Sequence, residues 1–103
     1  MQPVVDSNLP AIRELCRRHR VRSLDLFGSA TGSGFDPGRS DFDFLVDFGR
    51  TDLGPWMADY FRLKEELESL LGRPVDLVLA TAPRTPYFAA SLDASRVPVY
   101  AAA

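Results

Sequence analysis

At 103 residues the chain has the length of one small domain with a single core, short for an enzyme that builds its whole substrate site, so a partner is expected. Its apolar share of 46% and charged share of 25% exclude a disordered or fibrous chain. A net charge of −2, with basic residues scattered outside Arg17, Arg18, His19 and Arg20, makes bulk nucleic-acid binding unlikely, and the absence of an apolar run of membrane length predicts a cytoplasmic location without membrane contact.

Ser7 or Asn8 is placed to cap a first helix that tolerates Pro10 in its opening turn and ends near Arg20. Leu9, Ile12, Leu15, Cys16 and His19 form its apolar stripe. Cys16 is the one cysteine, without metal-spaced neighbours, and reads as a small buried apolar residue; His19, at the stripe's edge, reads as a packing histidine. Val21 to Phe27 is predicted as a strand with Leu24 and Leu26 on one face and Asp25 on the other, stopped by Gly28-Ser29. Ala30 to Ser40 carries three of the seven glycines and a proline, the composition of a surface loop.

Asp41 to Phe48 alternates, with Phe42, Phe44, Val46 and Phe48 opposite Asp41, Asp43, Leu45 and Asp47, and predicts a second strand. A helix follows from Trp56 to Leu71, with Pro55 at its start, Gly72 past its end, and Trp56, Tyr60, Leu63, Leu67 and Leu70 as its buried stripe. Val75 to Leu79 predicts a third strand and Thr81 to Arg84 a turn. A short helix from Thr85 then leads to an edge strand at Val97 to Tyr100, where Pro98 has no N–H for a ladder. Tyr87, Phe88 and Tyr100 are expected to pack in the ordinary way. The expected fold is α/β (α+β): a small mixed sheet with flanking helices, in one domain over residues 1–103.

Aspartate is disfavoured in strands, yet Asp41 and Asp43 leave one strand on the same face, about 6 to 7 Å apart. Such like charges gain a purpose if a divalent cation lies between them. Asp76, flanked by Val75, Leu77, Val78 and Leu79, costs several kcal/mol to bury unless something pairs with it, and neither strand offers an obvious cationic partner. Three carboxylates on neighbouring strands provide a hard oxygen site for Mg²⁺. Gly28-Ser29, directly after a strand, offers close backbone approach, exposed N–H groups and a hydroxyl, which suit a triphosphate.

Phe27-Gly28-Ser29, a Gly-rich spacer, Ser40-Asp41-Phe42-Asp43 running into Leu45-Val46, and a later strand with a single aspartate resemble the nucleotidyltransferase superfamily typified by DNA polymerase β. The chain is most similar to its minimal nucleotidyltransferase subgroup, often encoded beside HEPN-domain proteins as antitoxin and toxin. The resemblance implies that Gly28 and Ser29 hold the β- and γ-phosphates of ATP, that Asp41 and Asp43 bind Mg²⁺, and that Asp76 helps hold the metal and orients or deprotonates the acceptor hydroxyl. It further implies an antitoxin that transfers AMP to a hydroxyl, a tyrosine of a HEPN-type toxin. A different class of function is a non-catalytic module that neutralises its partner by complex formation. The spacer is one residue longer than usual, and Ala30-Thr31-Gly32 stands where Ala-Arg-Gly is common. Arg39, at the far end of the loop, is the candidate cation for the triphosphate.

Overall fold

The computed structural model describes residues 1–32, 34–36, 38–50 and 56–102, with residue 56 described in its backbone only. The expected roles of Pro55 and of the Trp56 side chain, and the loop positions Ser33 and Pro37, lie outside the described residues.

The alternating segments become strands Ser23–Phe27 (β1), Phe42–Asp47 (β2), Val75–Leu79 (β3) and Val97–Ala101 (β4). They form one mixed sheet in the order β3-β2-β1-β4, in which β1 runs antiparallel to β2 and β4 while β2 and β3 run parallel. A parallel neighbour demands a crossover between the two strands, and the helix Trp56–Leu71 (α3) supplies it.

Period-2 alternation divides the sheet into two unlike faces. Leu24, Leu26, Phe42, Phe44, Val46, Val75 and Leu77 are buried against Val5 of the helix Pro3–Ser7 (α1), Ile12 and Cys16 of the helix Leu9–Arg18 (α2), and Leu63, Leu67 and Leu71 of α3. Leu71 rather than Leu70 sits deepest at the end of that stripe. Burial pushes the Cys16 thiol up to about 12, so it behaves as an inert apolar group. The opposite face carries a smaller cluster in which Leu92 and Phe88 of the helix Pro86–Ser95 (α4) cover Phe27, Leu45 and Val78.

Three local details differ from the sequence reading. Ser7 and Asn8 do not cap α2 through their side chains; instead they turn back to the Pro3 and Val4 carbonyls at 2.7 and 2.6 Å and close α1, a helix too short for any periodicity to announce. Second, α2 stops at Arg18, and Arg20 takes a left-handed φ of 58°. The Val21 and Arg20 N–H groups then donate to the Cys16 and Arg17 carbonyls at 2.9 and 3.3 Å, a Schellman closure with arginine where glycine usually sits. Third, Tyr87 is 86% exposed and does not pack, because only Phe88 and Leu92 share the face of α4 turned to the sheet; Phe88 meets Phe27 edge-on at 5.9 Å.

His19 is buried, as expected of a packing residue, with Nδ1 3.1 Å from an Asp59 oxygen and Nε2 3.2 Å from a Glu66 oxygen. It therefore ties α2 to α3. Asp25, 8% exposed, points under α4 and meets Arg96 Nη2 at 2.7 Å and Nε at 3.1 Å. At the sheet edge the β1–β4 register shifts by one residue beside Pro98, and Arg13 Nε donates to the Val99 carbonyl at 3.1 Å.

Candidate active site

The parallel pairing of β2 with β3 decides where the acidic residues meet. Its register sets Asp43 directly opposite Asp76 and, through β1, opposite Phe27. Neighbouring strands lie about 4.8 Å apart, so two carboxylates leave one small area of the α4-bearing face, next to the residue that leads into Gly28. Asp43 is half-buried, and its carboxyl is raised to about 6, first by burial, then by the negative charges of Asp76 and Asp41.

Asp76 itself is exposed, despite its apolar neighbours in sequence. The desolvation cost expected of it does not arise, because β3 is an edge strand whose second residue reaches water while Val75 and Leu77 face the core. Asp41 lies one residue before β2, with its side chain 53% exposed. The two strands supply no cation, but the segment before β3 brings one to the margin of the group: Arg73 Nη2 is 3.7 Å from Asp41 Oδ1, and Arg73 Nε donates to the Ser40 carbonyl at 3.1 Å. Spacing alone could not show this, since Arg73 reaches Asp41 across the start of the parallel pair.

Among the described residues no three carboxylate, imidazole or thiol groups converge into a ready-made metal cluster. The donor set nevertheless suits a hard divalent cation: it offers carboxylate oxygens only, and the charges of Asp41 and Asp76 already weigh on Asp43.

Gly28 completes the geometry. Its φ of +77° favours glycine, and a Cβ placed on it would lie 2.6 Å from Asp43 Oδ2. The missing side chain is thus what lets the Asp43 carboxylate approach the turn. Residues Gly28–Thr31 form a 3₁₀ turn with the Ser29 side chain exposed. The Gly28 N–H, expected to be open to a ligand, donates to Ser95 Oγ of α4 at 3.0 Å, while the Gly28 carbonyl accepts from Thr31 Oγ1 at 2.8 Å. On the outer side the Gln2 N–H donates to the Ala30 carbonyl at 2.9 Å.

Gly28, Ser29, Asp43 and Asp76 are therefore brought together, with Asp41 at the margin and turned to Arg73. The Arg39 side chain bonds none of them. Its side chain is exposed and makes no ion pair among the described residues, and only its N–H is engaged, with the Asp36 carbonyl at 3.0 Å. A cleft of about 500 Å³ lined by Ala11, Leu15 and Leu70 opens between α2 and α3, beneath the opposite face of the sheet, and holds none of these groups.

The family described as "Nucleotidyltransferase domain" matches residues 11–96. A Methanocaldococcus jannaschii protein named "Putative protein adenylyltransferase MJ1379" is 33% identical over 93 residues, covering 82% of this chain and 91% of its own. A solved structure described as a "putative minimal nucleotidyltransferase" superposes with a TM-score of 0.70 at 33% identity, over 95% of this chain and 96% of the other. A complex described as tri-AMPylated Shewanella oneidensis HEPN toxin with MNT antitoxin contains a chain of like fold, with a TM-score of 0.65 at 21% identity over 94% of this chain and 72% of that one.

Proposed function

The chain belongs to the nucleotidyltransferase-domain family, and on that footing we propose that it is an antitoxin that transfers AMP from ATP to a tyrosine hydroxyl of a HEPN-type toxin. The observation that carries this reading is the pairing of Asp43 with Asp76 beside a glycine whose absent Cβ leaves room for the Asp43 carboxylate. The resemblance to a protein named as an adenylyltransferase supports the choice of AMP. The like-folded chain in an AMPylated toxin complex supports the choice of partner. In this proposal residues 1–103 act as one nucleotidyltransferase domain.

Asp41, Asp43 and Asp76 are the residues that would hold Mg²⁺, which when bound would add positive charge to that of the one guanidinium beside Asp41 and would polarise the phosphate under attack. The turn at Gly28 and Ser29 receives the triphosphate tail through the Ser29 hydroxyl and neighbouring N–H groups. Asp76, the exposed member of the pair, is the carboxylate an incoming hydroxyl meets; it orients the acceptor and takes its proton. The acceptor oxygen forms a bond to the α-phosphorus as the bond to the β-phosphate oxygen breaks, and pyrophosphate leaves. Fixed geometry supplies much of such catalysis, since a bound acceptor and phosphate no longer have to find each other.

A second reading, neutralisation by complex formation alone, is favoured by Tyr87, a large aromatic side chain held in water. Incubation with labelled ATP, Mg²⁺ and a HEPN-type toxin separates the two. Label on the toxin that disappears with Asp43→Asn supports transfer. A tight but unlabelled complex, unaffected by that substitution, supports the steric module instead.

A further inference from the structure

Gly28 carries a φ of +77° and has no side chain to restrain it, yet both peptide groups around it are held by hydroxyls. Ser95 Oγ, at the end of α4, accepts the Gly28 N–H at 3.0 Å and itself donates to the Ser91 carbonyl at 3.3 Å. Thr31 Oγ1 donates to the Gly28 carbonyl at 2.8 Å. The N–H and C=O of a trans peptide point in opposite directions. Holding the Gly28 carbonyl therefore aims the Ser29 N–H to the other side of the turn, and holding the Gly28 N–H fixes the peptide before it.

The helix that does this is anchored to the same strand, because Arg96, next to Ser95, bonds the nearly buried Asp25 at 2.7 and 3.1 Å. Ser95 is thus carried on an element whose place relative to β1 is fixed two to three residues before the turn.

We propose that Ser95 and Thr31 are positioning residues for the nucleotide: their hydroxyls lock the Gly28 peptides so that the Ser29 N–H and hydroxyl are preset for the triphosphate. This rests on the reading of Gly28–Ser29 as the triphosphate turn. Restraint before binding lowers the ordering cost of a ligand, so the effect falls on nucleotide affinity more than on the chemical step.

The test uses the full chain in three forms: unmodified, Ser95→Ala and Ser95→Thr, the last keeping a hydroxyl. Amide hydrogen exchange at Gly28 is followed first, without nucleotide, and exchange in Ser95→Ala should be at least tenfold faster. Mg-ATP affinity by calorimetry, and the KM and kcat of label transfer to the toxin, are measured next. The expected result is a KM and Kd about tenfold higher in Ser95→Ala, equal to 1.4 kcal/mol, with kcat within about threefold and recovery in Ser95→Thr. Thr31→Val should raise KM in the same way. Faster Gly28 exchange with unchanged Kd and KM overturns the positioning role while leaving the transferase reading intact. Failure of the unmodified chain to bind Mg-ATP overturns both.

Discussion

Replacing Gly28 by alanine tests the geometry of the site at its tightest point. The added Cβ would lie 2.6 Å from Asp43 Oδ2, 3.5 Å from its Cγ and 3.7 Å from its Cβ. Relief to an ordinary contact of about 3.4 Å requires the carboxylate oxygen to move by about 0.8 Å. A misplacement on the order of 1 Å costs about 10²-fold in rate when catalysis depends on position. The left-handed φ adds about 1–2 kcal/mol of backbone strain for a residue with a Cβ. Gly28→Ala should therefore lower label transfer about 100-fold and lower Tm by roughly 4–16 °C, using about 4–8 °C per kcal/mol for a chain of this size. Transfer is measured at saturating Mg-ATP, below the melting range of the variant, so that unfolding does not enter. Activity within threefold of the unmodified chain would show that Asp43 does not need its place beside the turn, and the argument from the missing Cβ would fall.

Other perturbations reach separate parts of the structure. Because the Asp43 carboxyl is raised to about 6 in the fold, its ionisation penalises the folded state. That penalty is complete above about pH 6 and absent below the ordinary value of 3.8. Asp43→Asn should thus raise Tm in EDTA at pH 8, by an amount that shrinks below pH 4, and an unchanged Tm at pH 8 would refute the crowding of like charges. Glu68 has the opposite sign: the Val75 N–H at 3.0 Å is first among the causes holding its carboxyl below the ordinary value of 4.5, with Lys64 adding to it. Its stabilisation is present above about 4.5 and lost as pH falls through the lower folded value. Melting of Glu68→Gln should accordingly lie below the unmodified chain at pH 7 and converge with it in acid. Arg20→Gly removes the strain of φ 58° at the end of α2 at the cost of a looser unfolded chain, for a net gain of about 0.5–1 kcal/mol; a fall in Tm would contradict the Schellman assignment.

Elements with a strong local signal were legible in the sequence. The alternation of Phe42, Phe44 and Val46, the helical stripe ending before Gly72, and the apolar run at Val75 to Leu79 each appear where the pattern puts them. The meeting of Gly28, Asp43 and Asp76 was expected from the resemblance and not from any strand order read in the sequence; it is the parallel register of β2 with β3 that sets the two aspartates opposite each other. What could not be read were contacts made by long or small polar side chains across the fold. Arg73 reaches Asp41, Arg96 reaches Asp25, and Ser95 meets Gly28 from 67 residues away. Each depends on how a helix or loop end is set against the sheet, which no periodicity encodes. The exposure of Asp76 had a similar origin: an apolar run reads as buried on both faces, whereas an edge strand under partial cover has one wet side.

The outer border of the sheet has a bearing on how this molecule meets others. An open β-edge invites foreign strands to continue the ladder, a route to fibres and to promiscuous adhesion. Here the shifted register beside Pro98 spoils the regular spacing such a guest would need, and the Arg13 guanidinium already occupies the Val99 carbonyl. Backbone-to-backbone zipping is hindered at the middle of β4, which favours recognition on that flank through side chains, where it can discriminate one companion from another.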